Sequence, residues 1–195
     1  MNIYDVIKKR RTIRRYKKNM VPKTIITKII EGGIMAPSAH NSQPWRFIVI
    51  MKKNKKYNFT KCLERLIYSA KFLTSIKILL KNCVDVIKSS PVVILVINDC
   101  SFSKKIKKFG KVYRDVAYIS EIESISAAIE NMHLIATSLG VGMVWMTMPL
   151  LLKKQVANFF NEKGDLVAIL AFGYSAEQGK EMVRKPIAET TKFII

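Results

Sequence analysis

Hydrophobic residues recur at helical spacing along much of the chain. Residues 2 to 9 pattern as a short helix with one apolar face, and residues 22 to 35 repeat isoleucine at the same spacing. The lysine-rich stretch from 52 to 88 predicts two further helices. A longer pattern runs from residue 115 to 139 and carries no charge after Glu130, so the second half of this helix is expected to be buried.

Four shorter runs are typical of strands. They cover residues 46 to 51, 90 to 99, 140 to 146 and 165 to 174. The run SPVVILVIND is continuously apolar and rich in β-branched residues, as expected for a strand covered on both faces. A short helix is predicted near residues 149 to 160, and the many lysines after residue 100 predict a loop.

The order of these elements predicts the fold class. Helices and strands alternate without a repeat, a linker or a domain boundary, so residues 1 to 195 are expected to form one domain. The expected architecture is α+β, or a three-layer α/β/α domain, with a mixed central sheet flanked by helices.

A strong positive charge limits the classes of partner. The chain has 34 Lys and Arg against 14 Asp and Glu, a formal net charge of +20, which attracts nucleic acid, anionic lipid or anionic small molecules. The lysine runs at 52 to 56 and 103 to 111 lack interleaved aromatic residues at regular spacing. A solvated lysine-rich surface is the favoured interpretation, and nucleic acid is not an expected partner.

Residues 131 to 152 contain no charge and are long enough to span a bilayer. Gly140, Gly142 and Pro149 interrupt this stretch, and a helix followed by a buried strand explains the same composition, so no membrane partner is expected.

The three cysteines have no CxxC spacing, and the N-terminus turns basic almost at once. These features predict a reduced, cytoplasmic protein.

Two motifs are candidates for binding. Four arginines lie between residues 10 and 15, and an extended backbone there places Arg10, Thr12 and Arg14 on one side, as a cradle for a phosphate or a delocalised anion. A basic helix end favoured by the helix dipole explains the same cluster. The second motif, APSAHNSQPW at 36 to 45, has two prolines that forbid a helix and small polar residues that remain free to contact a ligand.

The usual catalytic groups are missing from the sequence. His40 and His133 have no metal-ligand spacing, Ser38 lies in no GxSxG elbow, and GVG at 140 to 142 precedes a strand instead of following one. No metal site and no catalytic side chain are therefore predicted. An enzyme with this sequence must take its chemistry from an organic cofactor.

Four segments in order along the chain resemble the nitroreductase family of FMN-dependent enzymes. They are RRTIRRY, APSAHNSQPWRFIVI, SISAAIENMHLIATSLGVGMVWM, and the final GY and RKP. The resemblance implies a nitroreductase-like fold and a homodimer with two FMN pockets at the subunit interface. It also implies hydride transfer from NAD(P)H through FMN to a nitroaromatic, a quinone or a similar small-molecule acceptor.

The resemblance also implies which residues hold FMN. The arginine motif matches the family's segment that contacts the phosphate, the ribityl chain and the ring, and the final RKP matches the basic residue at the phosphate. These two segments contribute Arg10, Arg11, Thr12, Arg14, Arg184 and Lys185. Asn41 and Gln43 match polar positions near the cofactor, and Pro37, Ser38 and Ala39 match a stretch that reaches the flavin from the other subunit.

The strand end at residues 144 to 147 aligns with the part of the family's site that passes the reactive edge of the ring. It contributes Trp145, Met146 and Thr147, where many relatives have small or acidic residues. This departure leaves the acceptor open. A basic protein of the same fold that binds nucleic acid or an anionic surface without turnover is the alternative function.

Overall fold

The computed structural model describes residues 2 to 194. In chain order its helices and strands are α1 (Ile3–Lys9), α2 (Lys23–Ile34), β1 (Trp45–Ile50), α3 (Lys53–Ser69), α4 (Thr74–Ser89), β2 (Val92–Asn98), α5 (Ser101–Ile106), α6 (Lys111–Ser138), β3 (Gly142–Met146), α7 (Lys153–Phe159), β4 (Asp165–Gly173) and α8 (Ile187–Thr190). The predicted helices and strands are confirmed, with ends that differ by a few residues. The predicted loop after residue 100 is wrong, because α5 and a 3-10 turn (Lys107–Phe109) occupy it.

The four strands form one sheet in the order β1, β2, β4, β3, and every neighbouring pair is antiparallel. The expectation of a mixed sheet is therefore wrong for these strands. The physical reason lies in the connection between β1 and β2. Helices α3 and α4 carry the chain out and back, and Lys56 in the first turn of α3 donates to the carbonyl of Ser90 just after α4. Strand β2 thus begins beside the end of β1 and runs in the opposite direction.

Helices cover both faces of the sheet. On one face, α3 and α4 pack Phe59, Leu63 and Leu80 against alternate residues of β2. On the other face, α2 and α6 pack against the remaining residues of the same strand, with Ile29 and Ile129 fully buried. Strand β2 is buried along its whole length, as its continuous apolar run predicts. The result is the expected three-layer arrangement.

Helix α6 crosses the middle of the molecule. Its second half is buried as predicted, and it also buries a carboxylate at Glu121. The Glu121 oxygens accept hydrogen bonds from the side-chain amide of Asn98 at 3.0 Å and from the backbone N–H of Ser103 at 2.9 Å. This residue therefore ties α6 to the end of β2 and to α5. Within residues 2 to 194, no helix is long and apolar enough to cross a membrane.

Candidate functional site

The arginine segment, residues 10 to 17, is attached to the edge of the sheet. The backbone N–H of Ile13 donates to the carbonyl of Met143 on β3 at 3.0 Å, and Thr12 forms an isolated parallel bridge with the same residue. The Ile13 side chain is buried in the core. This attachment fixes the extended conformation in which alternate side chains point to opposite sides.

A buried histidine strengthens the attachment. The Nε2 atom of His133 lies 2.9 Å from the Met143 carbonyl, which accepts from Ile13 as well. Because a carbonyl only accepts, the neutral ring carries its hydrogen on Nε2. Burial lowers the pKa of His133, which favours this neutral ring, although the bond to Met143 acts in the opposite direction. His133 therefore has a structural partner and does not serve as a free acid or base.

The other side of the arginine segment pairs with the chain that follows β4. The backbone N–H of Lys17 donates to the Tyr174 carbonyl at 2.8 Å, and the N–H of Ala176 donates to the Arg15 carbonyl at 3.0 Å. Past this pairing, the carboxylate of Glu177 accepts from the backbone N–H groups of Arg14 at 2.6 Å and Arg15 at 3.1 Å. The segment is thus held between β3 and residues 174 to 177.

Tyr16 lies in this segment but is not a candidate acid. Its hydroxyl lies 2.6 Å from the carbonyl oxygen of Ile13 and 2.8 Å from that of Ala171, and the side chain is buried. Burial raises the pKa of Tyr16, and the nearby carboxylate of Glu177 acts in the same direction. The phenol stays protonated and anchors the segment to β4.

The arginine segment forms one wall of a cavity of about 840 Å³, here called the arginine cavity. α1 and residues 177 to 184 form the rest of its lining. Its volume lies in the range of cavities that hold cofactors, about 300 to 1,000 Å³. Of the predicted cofactor-binding residues, the structure brings together five here: Arg10, Arg11, Thr12, Arg14 and Arg184.

The cations of this cavity differ in their partners. The Arg10 guanidinium lies 3.4 Å from a carboxylate oxygen of Glu130, and that of Arg11 lies 3.2 Å from one of Glu181. Among residues 2 to 194, the guanidinium groups of Arg14 and Arg184 make neither a hydrogen bond nor an ion pair. Two unpaired guanidinium groups in one cavity can each bind an anion by paired N–H donors.

Residues 37 to 39 lie elsewhere. They line a separate open cavity of about 290 Å³ against α6, and the backbone N–H of Ala39 donates to the hydroxyl of Ser124 at 3.2 Å. Asn41 and Gln43 follow in the left-handed conformation, and the Gln43 amide donates to the Asn41 carbonyl oxygen at 3.2 Å. One copy of the chain therefore does not bring Pro37, Ser38, Ala39, Asn41 and Gln43 into the arginine cavity.

The remaining predicted site residues do not line the arginine cavity either. Met146 is buried in the core beside α3 and α4, Thr147 is exposed, and Lys185 is exposed beyond Arg184. Alternation along β3 turns the Met146 side chain into the core, and a contact of this strand end with the ring stays a prediction. Trp145 is different, since its indole Nε1–H is buried and has no partner within the described chain. Such a donor is available to a bound group.

Sequence reasoning missed two residues that shape the arginine cavity. Glu177 was not singled out, because a glutamate three residues after a strand has no distinctive pattern. Gly179 was also missed, although a Cβ there would lie 2.3 Å from the Cβ of Arg11. Only glycine lets the chain approach the arginine segment this closely, and the glycine itself was the one available signal.

Comparisons with known proteins agree with this architecture. The sequence model of the Nitroreductase family matches residues 7–174. The provisionally named NAD(P)H nitroreductase YfhC of Bacillus subtilis (strain 168) is 28% identical over 190 residues, which cover 95% of this chain and 90% of YfhC.

Two solved structures share the fold over the full length of both chains. A BluB-like flavoprotein from Clostridium difficile 630 is 26% identical, with a TM-score of 0.82. A nitroreductase with bound FMN from Bacteroides fragilis NCTC 9343 is 20% identical, with a TM-score of 0.76, and shows the fold alone.

The Glu177 carboxylate gives a first prediction. In Glu177→Ala, the backbone amides of Arg14 and Arg15 lose their acceptor, so their hydrogen exchange should accelerate by about tenfold or more, as for a lost bond to a charged group. The Ile13 amide should remain protected because it donates to Met143. Glu181→Ala, which removes an exposed carboxylate of the same cavity, is the control and should leave all three amides unchanged. Unchanged exchange at Arg14 and Arg15 in Glu177→Ala would contradict the assignment.

Proposed function

Because this chain belongs to the nitroreductase family, we propose that it is an FMN-dependent oxidoreductase that passes hydride from NAD(P)H to a small acceptor. Nitroaromatics and quinones are the proposed acceptor classes. The observation that carries the proposal is a cavity of about 840 Å³ that contains the guanidinium groups of Arg14 and Arg184, neither of which has a partner within residues 2 to 194. The name of YfhC supports the same reaction class.

The cavity fits the charge distribution of FMN. FMN has a phosphate dianion at one end, and its ring system becomes negatively charged near N1 and C2=O when it is reduced. Arg184 is proposed to bind the phosphate together with Arg10 and the hydroxyl of Thr12. Arg14 is proposed to contact the N1 and C2=O edge of the ring.

FMN supplies the hydride chemistry when it is bound, so the residues of the chain need only bind, orient and exclude water. This division of roles agrees with the state of two buried titratable side chains at the arginine segment. Tyr16 and His133 are buried and hydrogen-bonded to backbone carbonyls, and neither is free to exchange a proton with a substrate. The cationic side chains contribute by stabilising negative charge on the reduced ring.

A homodimer is part of the proposal, because the surface exposes apolar side chains that a second copy would cover. They lie on α1, on the first half of α6 and after residue 181, and they include Ile3, Tyr4, Ile7, Val112, Tyr113, Val116, Ile119, Met182, Val183, Ile187, Phe193 and Ile194. Patches of this kind mark interaction sites. The segment 37 to 39 of the second copy is proposed to complete the flavin site.

Sedimentation equilibrium should give about twice the chain mass of 22.3 kDa, and a monomer at micromolar concentration would contradict the dimer.

An absorption spectrum tests the proposed function. The purified protein, or the protein after incubation with FMN and gel filtration, should show bound flavin absorbance, and NADH or NADPH should bleach it under anaerobic conditions. Addition of a nitroaromatic or a quinone should then restore the absorbance. A protein that takes up no FMN would contradict the proposal. If its nucleic-acid affinity also fell steeply with salt, the alternative function of a basic binding protein would replace it.

The separate roles of Arg14 and Arg184 give a sharper prediction. Arg14→Ala should destabilise the anionic reduced flavin by about 1.5 to 3 kcal/mol, the range for a lost charge-assisted hydrogen bond. For a two-electron couple this lowers the reduction potential by roughly 30 to 65 mV. Arg184→Ala should weaken FMN retention and leave the potential of bound flavin nearly unchanged. Photoreduction against a redox dye measures the potentials.

The control for these variants is Lys17→Ala, which removes an exposed cation from the same segment that does not line the cavity. It should change neither the potential nor FMN retention. Equal potentials for the unmodified protein and Arg14→Ala would refute the contact between Arg14 and the ring, even in a protein that holds FMN.

A further inference from the structure

A second cavity, of about 460 Å³, lies beyond the arginine segment and is here called the lysine cavity. The start of α3, the end of α4 and the chain around residues 18 to 20 enclose it. Five of its lining residues are lysines, and none is acidic; the lining consists of Lys18, Met20, Met51, Lys53, Lys56, Tyr57, Thr60, Lys61, Lys88, Ser89, Ser90 and Pro91. It has no lining residue in common with the arginine cavity.

Part of this positive charge is already neutralised. Glu64, which lies outside the cavity on α3, pairs with Lys61 at 3.3 Å and also with Lys88. Within residues 2 to 194, the ammonium groups of Lys18, Lys53 and Lys56 have no carboxylate partner. Three uncompensated cations therefore share one cavity.

Lys56 distinguishes this cavity from an ordinary lysine-rich surface. Its side chain is partly buried, and its ammonium group donates to the backbone carbonyl of Ser90. Burial lowers the pKa of Lys56, and the neighbouring cation of Lys53 acts in the same direction. Burial and the like charge of Lys53 both disfavour the charged form of Lys56, and a bound anion would stabilise that form.

We propose that the lysine cavity binds a small organic phosphate, with the phosphate on Lys18, Lys53 and Lys56 and the apolar part against the apolar residues of the lining, here called the apolar wall. Lysine binds phosphate as a point charge, and three such charges suit a dianion. Met20, Met51, Pro91 and the ring of Tyr57 provide the apolar wall. The volume lies within the range of small-molecule sites. This site does not depend on the proposed flavin function.

Calorimetric titration with phenyl phosphate tests the proposal on the complete protein. The unmodified protein should bind it, and Lys56→Met, which keeps the side-chain length and removes the charge, should weaken binding by about tenfold or more. Lys55→Met is the matched control, since Lys55 is exposed in the same helical turn and does not line the cavity. It should bind as the unmodified protein does. Equal affinity for the unmodified protein and Lys56→Met would overturn the proposal.

Three further measurements place the ligand in this cavity. The difference in phenyl phosphate affinity between the protein with Lys56 and Lys56→Met should persist when Arg184→Ala is added to both, because Arg184 lines only the arginine cavity, and its disappearance there would overturn the assignment. At alkaline pH, binding should take up protons as the anion restores the charge of Lys56, which titrations in buffers of different ionisation enthalpy detect. Lys56→Met should lose this uptake. If pyrophosphate bound as tightly as phenyl phosphate, the role of the apolar wall would be refuted.

Discussion

The carbonyl oxygen of Met143 accepts two hydrogen bonds, one from the backbone of Ile13 and one from the ring of His133, and the candidate site depends on this contact. It joins the arginine segment to the edge of the sheet and to the central helix α6 at a single atom. Together with the pairing to residues 174 to 177, it offsets the cost of ordering residues 10 to 17, which is about 1 to 2 kcal/mol for each residue fixed. The same contact covers the exposed edge of β3, which would otherwise present unpaired backbone groups.

The arrangement of charged residues around the arginine segment follows from the attachment of this segment to the sheet edge. An extended run of arginines brings like charges close together, and the chain offsets this repulsion with carboxylates from different parts of the fold. Glu130 belongs to α6 and Glu181 follows β4, while Glu177 accepts from the backbone amides of Arg14 and Arg15 and lies 4.0 Å from the Arg15 guanidinium. The positive charge that stays available is therefore restricted to a few positions. The lysines form a separate group, with fewer acidic partners and one half-buried member at residue 56.

Local patterns in the sequence predicted much of this structure, and the parts that they did not predict depend on distant pairings. Apolar periodicity located the helices and strands, and the arginine motif with the final RKP located five residues of the arginine cavity. Strand β2 runs antiparallel to β1 because α3 and α4 carry the chain out and back between them. Apolar periodicity predicts these helices but not the direction of the strand that follows them. The contact of Glu177 with Arg14 joins residues 163 positions apart, and no local sequence pattern predicts it. The side chain of Met146 turned into the core because its position on β3 alternates with that of Trp145.

The arginine cavity combines residues that are synthesised far apart in time. Arg184 is added 170 residues after Arg14 (184 − 14 = 170), and Met143, the anchor of the segment, is added 130 residues after Ile13 (143 − 13 = 130). At a translation rate of about 5 to 20 residues per second, the interval before Arg184 is roughly 10 to 30 seconds. Until Met143 is added, the nascent chain displays its arginine segment on the ribosome with neither its sheet edge nor its carboxylate partners beyond residue 174. The complete arginine cavity is therefore among the last features that the growing chain acquires.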